Sequence, residues 1–291
     1  MPRGGCDCHV HVFGPFDRFA LAAERRYTPG AARLRDLVAH QRTLRLDRVV
    51  IVQPSPYGTD NACLLDALHH LGDAARGVAV IDAATPDTVL AQMHAAGVRG
   101  VRLNLATGGV RDPALARAAL QATAARVAPL GWHVQIYAEL ALLDALAATL
   151  AALPVPVVID HFGRPVAEAG REQPGVAALC ALLRGGRIYV KLSAPYLISD
   201  APDYADAAPL ARLLAAANPA RVLFGSNWPH PAGRRGATPQ PGIEPFRPED
   251  DGMALRRLAG WLGDDAALWR LLLVDNPARL YGFTLPPHAA G

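Results

Sequence analysis

The chain of 291 residues carries 29 Lys and Arg against 26 Asp and Glu, a formal net charge of +3, with 51% hydrophobic and 19% charged residues. So even a balance gives no field for nucleic acid or an anionic membrane, and no apolar run approaches the length of a membrane span. The length supports a large buried core in one domain or two.

Cys6, Cys8, Cys63 and Cys180 are scattered, which argues against a disulfide framework and against paired metal-ligand spacing. No basic start followed by an apolar stretch opens the sequence, so the expected compartment is a reducing cytoplasm.

Strand-like runs begin near Cys6, Val49, Gly77, Val98, His133, Val155, Ile188 and Val222. Most are β-branched and apolar on both parities, as strands buried on both faces should be. Amphipathic helical patterns lie between them, over Ala31 to Leu46, Asn61 to Leu71, Leu140 to Leu153, Pro174 to Leu183 and Tyr204 to Ala217. Thr85-Pro86-Asp87 caps and opens another that stops at Gly97, and Asp112-Pro113 opens one that runs to Pro129. Three more follow the last strand, over Met253 to Leu262, Asp265 to Leu273 and Asp275 to Tyr281.

Alternation of this kind predicts an α/β fold, a single (β/α)8 TIM-type barrel over residues 1–291. An open doubly wound sheet is the alternative, but no Gly-rich phosphate fingerprint supports it. The Gly- and Pro-rich stretch 231–251, with Arg234 and Arg235, reads either as a lid over the barrel mouth or as a solvated connector.

Polar residues gather at the carboxyl ends of four strands, where a barrel builds its active site. His9 and His11 are two apart on the first strand and share a face, with Asp7 on the same parity. Asp160-His161 ends the sixth strand, Lys191 and Ser193 lie on the seventh, and Asn227-Trp-Pro-His230 follows the eighth. His40, His69, His70, His94 and His288 read as surface groups, and Trp132, Trp261 and Trp269 as core.

His9, His11, His161 and the tip of the eighth strand resemble the amidohydrolase superfamily of (β/α)8 hydrolases. Asp7 to Pro15, Val52 to Asn61, Gly97 to Asn104, Val158 to Pro165, Lys191-Leu-Ser193 and Asn227 to His230 are similar to its lactonase branch. That branch opens or isomerises carboxylated lactones of pyrone, muconolactone or sugar-diacid type. Pro54-Ser-Pro-Tyr-Gly-Thr-Asp-Asn61 and Ala106-Thr-Gly-Gly109 look most like its lactone isomerase members.

The resemblance implies hydrolysis of an acidic small-molecule lactone, with lactone isomerisation as the alternative. His9, His11 and His161 would stabilise the oxyanion, and the residue at 227 would take the proton. Ser55, Tyr57, Arg102, Asn104, Tyr137, Arg164, Tyr196 and His230 would hold carboxylates and hydroxyls, guanidinium being suited to the planar fork of a carboxylate.

No cofactor and no metal is expected. The fifth strand places its histidine, His133, at its start, and the eighth offers an amide in place of the family's carboxylate. A Zn²⁺ held by His9, His11 and His161 is the alternative, in a decarboxylase. Asn227 cannot accept a proton at neutral pH. It therefore marks an Asp-to-Asn variant that traps bound substrate, a binding protein without turnover, or a site with another base, with His230 and Asp160 nearest. The first is preferred, because everything around position 227 keeps the family's form.

Overall fold

Eight of the apolar runs become the strands of one parallel sheet, taken in chain order: β1 Cys6–Val10, β2 Arg48–Val52, β3 Ala75–Ala79, β4 Val98–Asn104, β5 His133–Tyr137, β6 Val157–Ile159, β7 Ile188–Ser193 and β8 Val222–Gly225. This computed structural model describes residues 1–231 and 242–285. Each strand hydrogen-bonds to the next, and Asn227 N donates to His9 O and His11 N to Trp228 O, both at 2.8 Å. These two bonds join the last strand's tip to the first strand, so the sheet has no open edge and forms a (β/α)8 barrel.

Closure demands backbone proximity that side chains would prevent. A Cβ on Gly225 would stand 2.6 Å from that of His9, and one on Gly100 would meet the His133 ring at 2.2 Å.

Helices occupy the crossovers, where the sequence pattern puts them, with two differences. The stretch read as one helix from Leu140 to Leu153 is two, Leu140–Ala145 and Ala147–Ala152. At the break, the Leu146 N–H is shared between the carbonyls of Leu142 and Leu143, at 3.0 and 3.2 Å, a tightened turn. Asp112 caps its helix as expected, accepting from Ala114 N at 2.8 Å. Thr85 does not cap Asp87–Ala95; its hydroxyl donates back to Asp82.

The last helix, Asn276–Tyr281, seals the barrel at the amino ends of the strands. Asn276 Nδ2 donates to the carbonyls of Pro219 and Val222, both at 2.9 Å. Ala278, Tyr281 and Phe283 pack with Cys6, Cys8, Val50 and Leu223. All four cysteines are free and buried. Among the described residues, no helix is long and apolar enough to cross a membrane. Of the stretch 231–251, Ile243–Glu244 pairs in parallel with Thr28–Pro29, while Arg234 and Arg235, like His288, lie outside the described residues.

Candidate active site

The carboxyl ends of β6, β7 and β8 turn through backbone conformations that L-residues rarely adopt. His161, Phe162, Arg164, Ala194, Asn227 and His230 have φ of 50°, 59°, 58°, 49°, 66° and 67°. Positive φ on six non-glycine residues in one region is strain of the kind that accumulates where side chains must be aimed. Asn tolerates this conformation best of the six.

Asp160 is the hub. Its Oδ2 accepts from Arg102 Nε at 3.1 Å, Arg102 Nη2 at 3.0 Å and Gln135 Nε2 at 3.1 Å. Its Oδ1 lies 3.2 Å from His9 Nδ1 and 3.6 Å from Lys191 Nζ. The Lys191 ammonium, fully buried, donates to Gln135 Oε1 at 2.7 Å and stands 3.3 Å from His9 Nδ1. Burial favours the protonated form of Asp160, but His9, Lys191 and Arg102 beside it hold its carboxyl well below the usual carboxylate range. Burial in turn lowers Lys191 to about 8, against the pull of Asp160.

Around this hub the imidazoles converge. The His9 ring is 5.0 Å from that of His11 and 4.7 Å from that of His161. His11 Nδ1 donates to the Val52 carbonyl at 2.8 Å, and His161 Nδ1 lies 2.8 Å from Ser193 Oγ. Burial, aided by Lys191, holds His9 far below its ordinary value. Burial and Arg102 bring His11 to about 3; burial, and Arg102 against the pull of Asp160, do the same for His161.

Neutral and protonated on Nδ1, His11 turns a lone pair outward at Nε2. In that tautomer His11 would accept at Nε2, whereas an oxyanion needs a donor. The Nε2 of His9 and the Oδ1 of Asn227 are buried without a hydrogen-bond partner, as atoms are that a substrate completes.

The histidines also set an acid limit. His11, His161 and His133, the last inside the barrel, titrate near 3 when folded and near 6.5 when unfolded. Their stabilisation is complete above about pH 6.5 and is lost as pH falls toward 3, by up to about 1.4 kcal/mol per pH unit for each group. Urea unfolding should therefore show a steep loss of stability between pH 7 and pH 5, and a flat profile there would contradict the neutral assignment.

The other expected residues fall into three groups. Tyr137 stands edge-on to His161 at 5.3 Å, between the guanidinium groups of Arg102 at 5.2 Å and Arg164 at 5.0 Å. Arg164 donates to the Tyr137 hydroxyl and pairs with Glu139 at 3.0 Å. Asn227 Nδ2 donates to the Tyr196 hydroxyl at 2.7 Å, and Tyr196 lies 3.4 Å from His230 Nδ1.

Ser55, Tyr57 and Asn104 stand further out. Ser55 stands beside the hydroxyl of Tyr27. Tyr57 accepts from Gly14 N at 2.7 Å and stacks on Phe13, bracing the loop after β1. Asn104 accepts from Thr107 N, capping the short helix Leu105–Gly108.

Sequence reasoning missed Tyr27, Arg247, Asp251 and His40. Tyr27 is brought beside Ser55, Arg102 and Tyr137 by the Thr28–Glu244 pairing. His40, read as a surface group, stacks on Trp228 at 5.5 Å and lies 3.3 Å from the buried Asp251. No motif marks these residues, because each arrives from a helix or loop far away in the chain.

His9, Asp160 and His161 bring possible metal-ligand atoms within 4.8 Å of one another. The neighbouring charges oppose a metal ion. Asp160 Oδ2 is taken by Arg102 and Gln135, while Oδ1 is buried without a hydrogen-bond partner, and two cations, Lys191 and Arg102, already flank this single carboxylate. β8 contributes an amide. A divalent ion there would meet the charges of Lys191 and Arg102, with one carboxylate oxygen and neutral imidazoles to hold it. The same cations oppose Zn²⁺ on His9, His11 and His161.

A closed barrel with a His-x-His pair at the end of β1 and an acid-histidine pair after β6 defines an amidohydrolase-type enzyme, and the chain belongs to the amidohydrolase family, whose model matches residues 6–283. It is 37% identical to a 2-pyrone-4,6-dicarboxylate hydrolase of Comamonas testosteroni, over 97% of this chain and 91% of that one. It is 32% identical to a D-galactarolactone isomerase of Agrobacterium fabrum, over 97% and 92%. A probable 2-pyrone-4,6-dicarboxylic acid hydrolase from Acinetobacter baumannii, solved with citric acid bound, superposes with a TM-score of 0.82 at 28% identity, covering 96% of this chain and all of that one (100%).

Proposed function

We propose that this protein is a metal-independent enzyme acting on a carboxylated lactone, and that its site favours transfer of the acyl group to a hydroxyl of the same substrate, lactone isomerisation. The observation that carries this reading is the amide of Asn227, bound through Nδ2 to Tyr196 where a water-activating carboxylate would otherwise sit. Water needs a base to attack an ester carbonyl at neutral pH. A hydroxyl held beside the carbonyl gains an effective molarity of about 10⁵–10⁸ M and needs far less activation. Asn227, with a donor bond of its own, is then integral to the site and no trap.

His161, with Ser193 on Nδ1, presents Nε2 to the carbonyl oxygen, and the excess positive charge of Arg102 and Lys191 over Asp160 stabilises the oxyanion. Arg164, Tyr137, Ser55 and Tyr27 hold the substrate carboxylates. The citric acid in the relative's structure and the dicarboxylate in a relative's name support an acidic substrate. Hydrolysis is the second reading, favoured by the hydrolase names among the relatives.

Turnover in ¹⁸O-labelled water separates the two. We expect an isomeric lactone free of label from an aldaric-acid lactone; labelled hydroxy acid as the dominant product would overturn the isomerase reading.

A further inference from the structure

Beyond the histidine cluster, polar residues stand in a directional chain. The amide nitrogen of Asn227 can only donate, so the Tyr196 oxygen accepts from it at 2.7 Å and must direct its own proton elsewhere. The acceptor within reach is His230 Nδ1, at 3.4 Å. On the far edge of the ring, His230 Nε2 lies 3.0 Å from Asp251 Oδ2. A carboxylate oxygen accepts, which places the imidazole proton on Nε2 and leaves the lone pair on Nδ1.

Asp251 is held firmly for this task. It is buried in the first turn of the helix Asp251–Trp261, and its Oδ2 lies 3.3 Å from His40 Nε2. His40 is wedged by its stack on Trp228. The Arg247 guanidinium stands 4.7 Å over the Tyr196 ring, where positive charge favours phenolate character. Burial raises the phenol well above its ordinary range, so Tyr196 rests protonated and needs a partner to take its proton.

We infer that Tyr196, His230 and Asp251 form a proton relay that performs the transfer position 227 cannot. This inference rests on the acyl-transfer reading above. As the substrate hydroxyl oxygen bonds to the lactone carbon, its proton passes to the Tyr196 oxygen while the phenolic proton passes to His230 Nδ1. The imidazolium is balanced by Asp251. When the tetrahedral adduct collapses, the ring C–O bond breaks and the proton returns through Tyr196 to the leaving oxygen. One C–O bond forms and one breaks, one O–H is lost and one gained, and nothing is consumed. Tyr196 meets the reacting oxygen; His230 and Asp251 act through it.

The expected result is a fall in kcat of about 10²- to 10⁴-fold for Tyr196→Phe and His230→Ala, with KM little changed. Imidazole added to His230→Ala restores part of the rate, which a merely structural role would not allow. Full activity in both single variants overturns the relay.

A second measurement does not depend on turnover. Imidazole ¹H–¹⁵N spectra of the intact protein should show His230 protonated at Nε2 and bare at Nδ1, with the Nε2 proton signal shifted by Asp251→Asn. A proton found on Nδ1 overturns the relay even in a fully active enzyme. A chain silent on every carboxylated lactone, with the Nε2 proton in place, sinks the functional reading alone and supports the relay's geometry.

Discussion

Replacing Asp160 by Asn is expected to reduce the unfolding free energy by about 3–5 kcal/mol, the usual consequence of removing one partner from a buried charge cluster. The carboxylate is the sole anion among Arg102, Lys191 and His9, and the first two are almost or wholly inaccessible to solvent. An amide of the same shape leaves two buried cations with no counter-charge. Lys191 can relieve this by losing its proton, since burial has already brought it to about 8; Arg102 cannot. The loss corresponds to roughly 6–20 °C in thermal midpoint for a chain of this size. Activity should fall as well, because His9 loses the group that orients it. A variant within about 1 kcal/mol of the parent in urea unfolding would show that the cluster is not charged as described.

The second large effect is a gain. Asn227→Asp should raise hydrolysis of a carboxylated lactone by roughly 10²- to 10⁴-fold, the range typical of a positioned general base. The substitution also reverses a hydrogen bond. A carboxylate accepts, so Tyr196 would turn its O–H toward residue 227 and away from His230. Isomerisation that uses Tyr196 should decline as hydrolysis rises, and chromatography of lactone and open acid reads both at once. If hydrolysis stays at the parent's level for every lactone tried, position 227 is not where water would be activated. If the Asn227 chain is inert and the Asp form hydrolyses, the amide marks a substrate-trapping variant.

The barrel was legible because burial on both faces leaves a plain signature: eight β-branched runs at the spacing of βα units, each beginning within two residues of its expected start. The helix break at Leu146 was not, since an apolar stretch with no Gly or Pro gives no sign that its turn tightens. The meeting of His9, His11, His161 and Asn227 was legible because strand ends fix their neighbours in advance. Lys191 was visible on β7, but its charge partner depends on how three strands align. Asp251 and His40 carried no signal at all, because two helices far apart in the chain, Leu34–Leu44 and Asp251–Trp261, bring them together.

The seam between β1 and β8 has a consequence for how this enzyme can diversify. The residues that shut the barrel, His9, His11, Asn227 and Trp228, are the same ones whose side chains line or flank the candidate site. Most barrel loops can be exchanged piecemeal, but a graft at this junction would undo the scaffold together with the chemistry. New specificities are therefore free to arise on the opposite rim, around Tyr27, Ser55 and Arg164, where no closing bond is at stake.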